Sequence, residues 1–189
     1  MTDRAQYTPG PASGAQVRKD GEKWTLILVR ELRHSPEKVW QALTDPAHLR
    51  EWAPFTVDGS LDAVGTVKLT WVGTLQALET KVTQAYGLNV LELGDMRWEL
   101  EPFGGGTRLT LWHSIDRRFI SRVAAGWHIS FDVLDHLLRG TPIGRIAGGE
   151  AMNLGGWQRL NAEYGKQFVL NHPAGRLRRL EKSWIDKDL

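Results

Sequence analysis

Alternation of apolar and polar residues predicts a series of strands between residues 24 and 113. The first segment, 24–33, places Trp24, Leu26 and Leu28 on one face, as expected of a half-buried strand. Short loops connect the later alternating segments, so together they predict an antiparallel meander. These later segments are 65–71, 77–85, 88–93, 96–101 and 108–113. The glycines at 104–106 are predicted to form a hairpin and not a phosphate loop, because they stand between two strands and no helix follows them.

Two short helices are predicted directly after the first strand. Ser35, Pro36 and Glu37 supply an N-cap, a proline at the first helical position and an acid in the first turn. This helix is expected to stop at residues 44–46, and a second short helix is predicted from Pro46 to about Trp52.

A long helix is predicted over residues 117–139, with Asp116 as its cap and Gly140 at its end. Its apolar stripe is wide and aromatic, as expected of a helix that crosses a sheet. Ile129 and Val133 lie on the opposite side, which indicates that a further layer covers this helix. That layer is predicted from helical spacing in Trp157, Leu160, Tyr164 and Phe168, with Pro173 closing the helix.

Outside these elements, residues 1–21 are rich in Pro, Gly, Ser and Ala and are predicted to be a disordered leader. Residues 22–172 are predicted to form one domain, and 173–189 a charged tail.

Composition restricts the function classes. The net charge of +2, from 24 basic and 22 acidic residues, gives no general attraction to nucleic acid, and the chain has no cysteine for disulfides or thiolate chemistry. No apolar run is long enough to insert into a membrane, so a cytoplasmic protein is expected. Nine tryptophans are an unusual number for 189 residues, and such a surplus is typical of pockets and interfaces.

The order of elements and several segments resemble the SRPBCC (START-like, helix-grip) superfamily, and within it the AHSA1-like branch. The resemblance covers about residues 24–170 and is carried by residues 29–32, 35–46, Leu49, Trp52, 106–114, 124–128, Gly156, Trp157 and Tyr164. It implies an α+β helix-grip fold, in which a curved antiparallel sheet wraps around a long C-terminal helix. It also implies a cavity between sheet and helix, which in that family takes lipids, polyketides or other apolar and aromatic molecules.

The residue pattern agrees with such a cavity, because apolar and aromatic positions of the strands and of the long helix face each other. The candidate ligand-binding residues are Trp71, Trp98, Leu100, Leu111, His113, Val123, Trp127, Phe131 and Leu134. A filled core would show the same periodicity, so the pattern leaves both interpretations open.

His113 is the polar residue of greatest interest, because it shares a strand face with Leu109 and Leu111. An inward imidazole could orient a carbonyl or phenol, or act as a general base. The alternative is a histidine that hydrogen-bonds to backbone at the edge of the sheet. His128 borders the apolar stripe of the long helix and could reach either the cavity rim or an edge strand.

No catalytic constellation, metal site or cofactor is predicted. His128, Asp132 and His136 lie along one side of the helix, but the first and last are about 12 Å apart along the axis, too far for one ion. The chain lacks a Gly-x-Ser-x-Gly elbow, and Ser114 points away from His113.

Three functional hypotheses follow. The first is binding of a small apolar or aromatic molecule, by a monomer or homodimer that engages neither nucleic acid nor membrane. The second is a cyclase, aromatase or hydrolase that uses the same cavity. The third is a protein-interaction role as a homologue of the chaperone (Hsp90 ATPase) activator, which rests on the family name alone.

Overall fold

Eight antiparallel strands form one curved sheet in the computed structural model, which describes residues 4–171. Their spatial order is β1-β2-β8-β7-β6-β5-β4-β3, so β4 to β8 follow each other as the predicted meander and β2 pairs with the last strand. The strands are β1 (Ala15–Asp20), β2 (Lys23–Leu32), β3 (Phe55–Val57), β4 (Gly65–Trp71), β5 (Ala77–Tyr86), β6 (Val90–Leu93), β7 (Met96–Phe103) and β8 (Gly106–Ser114).

The two short helices begin where capping side chains satisfy free backbone amides. They are α1 (Pro36–Thr44) and α2 (Pro46–Trp52). Ser35 Oγ accepts a hydrogen bond from Lys38 N at 3.4 Å, and Asp45 Oδ1 accepts one from Ala47 N at 2.8 Å. Both starts were expected from the sequence.

The long helix α3 (Ile120–Leu138) begins three residues later than the predicted start at residue 117. Asp116 is the expected cap, but it caps a short 3-10 turn at Arg117–Phe119 by accepting from Arg118 N at 2.9 Å. At the other end, Gly140 has φ +76°, a left-handed conformation that glycine adopts without a steric penalty. Its amide donates to Leu137 O at 3.0 Å, which closes the helix.

Two further helices, α4 (Gly148–Met152) and α5 (Gly155–Asn171), complete the order of elements. α3 therefore lies between two layers: its aromatic stripe faces the sheet, and α5 packs on its other side. Leu160 and Tyr164 of α5 are both fully buried, in agreement with the predicted second layer. This arrangement is the α+β helix-grip fold that the sequence predicts.

Residues 4–21 have defined structure, which differs from the predicted disordered leader. β1 pairs with β2 from Ala15 opposite Leu28 to Asp20 opposite Lys23. Its sequence is polar because it is an edge strand: only Ala15 is buried and only Val17 is half-buried. Periodicity based on apolar residues therefore misses it. The predicted end of the last helix at Pro173 and the charged tail at 173–189 lie outside the described residues.

Candidate functional site

Five aromatic side chains fill the interior between the sheet and α3. This aromatic cluster consists of Trp52, Phe55, Trp98, Trp127 and Phe131, each at most 2% exposed. Trp127 is its centre, with ring centroids 5.7 Å from Phe131, 6.1 Å from Trp98 and 6.4 Å from Trp52. Most of the space between sheet and helix is therefore occupied by side chains, and open space lies at the margins of the cluster.

The nine predicted ligand-binding residues fall into three groups. Two of them, Trp71 and His113, line a pocket on the sheet, and Val123 lines a cleft between helices. The other six pack in the core at no more than 3% exposure and line neither of these spaces: Trp98, Leu100, Leu111, Trp127, Phe131 and Leu134. Their role in ligand binding stays a prediction.

The sheet pocket has a volume of about 300 Å³ and opens where β4, β5 and the β6–β7 turn surround His113 of β8. Its wall is Leu69, Trp71, Leu78, Glu79, Thr80, Leu93, Gly94, Asp95, Met96 and His113. Strand register explains this grouping, because Met96 stands opposite both His113 and Leu93. Leu78, Glu79, Thr80 and Asp95 were missed from the sequence, since strand alternation does not show which hairpins the curvature brings together.

One hydrogen bond fixes the protonation of His113. Trp127 Nε1 lies 3.1 Å from His113 Nδ1, and an indole nitrogen is a donor only. Nδ1 therefore accepts, and the neutral ring carries its proton on Nε2. The imidazole also lies parallel to the Trp71 ring, with an interplanar angle of 5° and centroids 6.2 Å apart. The partner is thus an indole, where the sequence-based alternative expected backbone.

Burial keeps this imidazole neutral. Removal from water lowers the pKa of His113 to about 4, and the nearby charge of Asp95 opposes the shift only partly. Among the described residues no group accepts a hydrogen bond from Nε2, and His113 lines the sheet pocket. The ring therefore presents a fixed N–H donor to the pocket near neutral pH.

The helix cleft is a second space, of about 330 Å³, between α3, α4 and the start of α5. Its wall is Pro54, Ile115, Phe119, Arg122, Val123, Gly126, Ser130, Ala147, Gly148, Ala151, Met152 and Trp157. Gly148 positions α4 here: its φ is +59°, and a Cβ at this residue would lie 3.0 Å from Val72 O. The loop 140–147 has no periodic pattern, so this cleft could not be predicted from the sequence.

A polar network lies on the side of α3 that faces away from the sheet. Tyr7 OH donates to Asp132 Oδ2 at 2.7 Å, and His128 Nδ1 lies 2.7 Å from Tyr164 OH. Burial, followed by the charges of Arg30 and Arg159, lowers the pKa of His128 to about 4. His128 is thus placed under the N-terminal segment and α5, away from the sheet pocket. Within residues 4–171, no three potential ligands are arranged to hold a metal ion.

Solved structures with a similar fold share little sequence with this chain. EF2215 of Enterococcus faecalis, a conserved protein of unknown function, has 18% identity and a TM-score of 0.62 over 81% of this chain and 90% of its own. CalU16 of Micromonospora echinospora has 20% identity and a TM-score of 0.57 over 87% and 98%. DynU16, from the dynemicin biosynthetic locus, has 17% identity and a TM-score of 0.56 over 66% and 51%.

Comparison with curated protein sequences gives no match. Among the described residues no helix has the length and apolar character needed to cross a membrane. A family model described as activator of Hsp90 ATPase homolog 1-like protein, AHSA1, matches residues 33–139, which is more than half of the chain. This matched segment runs from the approach to α1 to the end of α3 and includes the sheet pocket and the aromatic cluster. The chain therefore belongs to the AHSA1 (activator of Hsp90 ATPase homolog 1-like) family.

Proposed function

We propose that this protein binds a small aromatic or apolar molecule in the sheet pocket, and that His113 orients it through a hydrogen bond. The observation that carries this proposal is the His113–Trp127 pair. A buried imidazole held in one tautomer turns its remaining N–H toward a pocket with an aromatic wall. A pocket of this kind binds the apolar body of a ligand by burial and selects it by one placed polar contact.

The lining supports a ligand with an uncharged oxygen. Leu69, Leu93 and Met96 provide a buried apolar floor, and Trp71 provides a half-buried ring at the side. A donor on a neutral ring matches a carbonyl or phenol oxygen, whereas Glu79 and Asp95 at the same pocket disfavour an anionic group. The volume of about 300 Å³ restricts the ligand to a few rings.

The same geometry favours orientation over base catalysis. Nε2 already carries the proton, and Nδ1 is occupied by the Trp127 N–H. A group with a pKa of about 4 is also a weak base near neutral pH. For these reasons we propose His113 as a hydrogen-bond donor to the ligand, and not as the general base of a cyclase.

Paired probes test this role directly. We expect 2-acetylnaphthalene to bind more tightly than 2-ethylnaphthalene by roughly fivefold, because only the ketone accepts a hydrogen bond worth about 1 kcal/mol. Isothermal titration calorimetry measures both affinities. Native mass spectrometry of freshly purified protein, in parallel, detects any small molecule that remains bound.

Variants then assign the difference to His113. His113→Ala should remove the preference for the ketone, and Trp71→Ala should weaken both probes equally. His136→Ala is the matched control, because His136 lies on α3 outside the pocket, and it should leave both affinities unchanged. Equal binding of the two probes to the unmodified protein, or a preference that survives His113→Ala, would contradict the proposal.

A further inference from the structure

The helix cleft differs from the sheet pocket in its walls and in its origin. Val123, Gly126 and Ser130 form one wall on successive turns of α3. The opposite wall, Ala147, Ala151 and Trp157, lies beyond residues 33–139 that match the family model. One side of this space is therefore formed by the part of the chain that follows the matched segment, and His113 does not line it.

A buried hydroxyl marks the floor of the cleft. Ser130 is 1% exposed, lines the cleft, and its Oγ has no hydrogen-bond partner among the described residues. Leaving a buried hydroxyl without a partner costs about 1–3 kcal/mol, so such groups are normally satisfied by protein, water or ligand. Oγ is itself covered by protein in this structure, so a rotation about the Cα–Cβ bond of Ser130 is needed to turn the hydroxyl toward a polar ligand atom in the cleft, which would then satisfy it.

An unneutralised cation lies at the other end of the cleft. Arg122 is exposed, and its one described partner is Met152 Sδ at 3.9 Å, a weak acceptor. No carboxylate of residues 4–171 pairs with it, whereas the neighbouring Arg118 is paired with Asp116 at 2.9 Å. Arg122 and Ser130 are eight residues apart on α3, which separates them by about 12 Å along the axis.

We propose that the helix cleft binds a small aromatic hydroxy acid. Its carboxylate pairs with the Arg122 guanidinium, its hydroxyl bonds Ser130 Oγ, and its ring lies among Val123, Ala151 and Trp157. The two polar residues set the length of the molecule, and the apolar walls require that its middle be a ring or another apolar unit. This site is separate from the sheet pocket, and binding here does not depend on the ligand proposed for that pocket.

The probe is 4-hydroxycinnamate, which carries a hydroxyl and a carboxylate at opposite ends of one conjugated unit. We expect cinnamate, without the hydroxyl, and 4-hydroxystyrene, without the carboxylate, to bind more weakly by roughly fivefold or more each. Calorimetry gives the affinities, and ¹H–¹⁵N spectra locate the amides that shift, which should belong to residues 119–130 and 147–157.

Gly126→Leu closes the cleft with little risk to folding. A Cβ at Gly126 meets no atom within 4 Å, and leucine is a better helix former than glycine. We expect this variant to unfold no more readily than the parent protein and to lose binding of 4-hydroxycinnamate. Arg122→Gln should weaken 4-hydroxycinnamate and leave 4-hydroxystyrene unchanged, while Arg118→Gln, whose side chain does not line the cleft, is the control.

Each alternative outcome overturns the proposal. Binding that survives Gly126→Leu places the molecule elsewhere, and binding that is lost in His113→Ala instead assigns it to the sheet pocket. Equal affinity for all three probes would show that neither Arg122 nor Ser130 recognises the ligand. Absence of binding by the folded parent protein would contradict the proposal outright while leaving the test with 2-acetylnaphthalene unaffected.

Discussion

At the scale of single residues, the most informative contact is between Trp127 and His113. Both side chains are at most 8% exposed, and each supplies the partner that the other needs in the interior. The donor of the indole satisfies one nitrogen of the imidazole and thereby determines where the ring carries its proton. A packing residue of α3 thus controls the chemistry that a strand residue offers to the pocket.

This tautomer can be tested by NMR. We expect the ¹⁵N shifts of the His113 ring to show a protonated Nε2 and an unprotonated Nδ1 from neutral pH down to about pH 5, because burial keeps the pKa near 4. In Trp127→Phe the donor is gone, and the two ring nitrogens should approach averaged shifts. A doubly protonated ring at neutral pH in the parent protein would contradict the assignment.

The residue-level prediction from the sequence was partial for a physical reason. Strand alternation correctly turned His113 and Trp98 inward, because successive side chains point to opposite faces. Alternation does not indicate the distance between the inward face of the sheet and the facing side of α3. Trp98 therefore lies in a filled core, where its Nε1 has no described partner, while His113 lies beside open space.

At the scale of elements, the N-terminal segment and α5 are held to α3 by the polar network. Tyr7 bonds Asp132, and Tyr164 OH donates to Ser13 O at 3.0 Å. Arg159 binds Pro9 O, and Glu163 accepts from Ala12 N at 2.8 Å. The structure of residues 7–13 therefore depends on long-range contacts, which a composition rich in Pro, Gly and Ser does not reveal.

Removing one hydroxyl from this network should weaken the fold. Tyr7→Phe leaves the half-buried Asp132 carboxylate without the Tyr7 donor, so we expect the free energy of unfolding to fall by about 1–3 kcal/mol. Urea denaturation measures this change. Tyr86→Phe, at a tyrosine that is 78% exposed, is the control and should change it little. Equal effects of the two substitutions would show that the Tyr7 hydroxyl contributes nothing.

The contact between α5 and α3 gives a second test at this scale. Leu160 is fully buried in α5, so Leu160→Ala should destabilise the protein by about 2–5 kcal/mol through lost burial and a cavity. Val169→Ala, at a side chain that is 66% exposed on the same helix, should cost much less. If thermal unfolding shows no difference between these variants, α5 is not part of the cooperative fold.

At the scale of the whole molecule, a shared domain carries additions at both ends. Residues 33–139 match the family model, and β1, β2, α4 and α5 lie outside them. Strong local signals predicted the shared part: caps at Ser35 and Asp116, alternating strands and one aromatic helix. β1 and α4 lacked such signals, because a polar edge strand and a five-residue helix depend on tertiary contacts.

Global stability should also depend on pH through His113. The folded-state pKa near 4 lies below the unfolded value near 6.5, so the unfolded chain takes up the proton first. This group has almost no effect above about pH 7.5, and it destabilises the fold progressively as pH falls from there through 6.5 toward about 4.

The comparison uses His113→Gln, which keeps a polar neutral side chain but does not titrate. Between about pH 7.5 and about pH 5, the parent protein should lose about 2 kcal/mol of unfolding free energy more than the variant does. Urea titrations at the two pH values give this difference. An identical pH dependence for parent and variant would show that folding does not lower the pKa of His113.

The aromatic cluster has an optical consequence. The indole ring of Trp127 lies 6.1 Å from that of Trp98 and 6.4 Å from that of Trp52, so we expect the three rings to couple electronically. Their circular dichroism should contain an exciton couplet that none of them would give alone. A ligand that binds beside His113 and tilts the Trp127 ring would alter this couplet. The three tryptophans would then report binding without an added label.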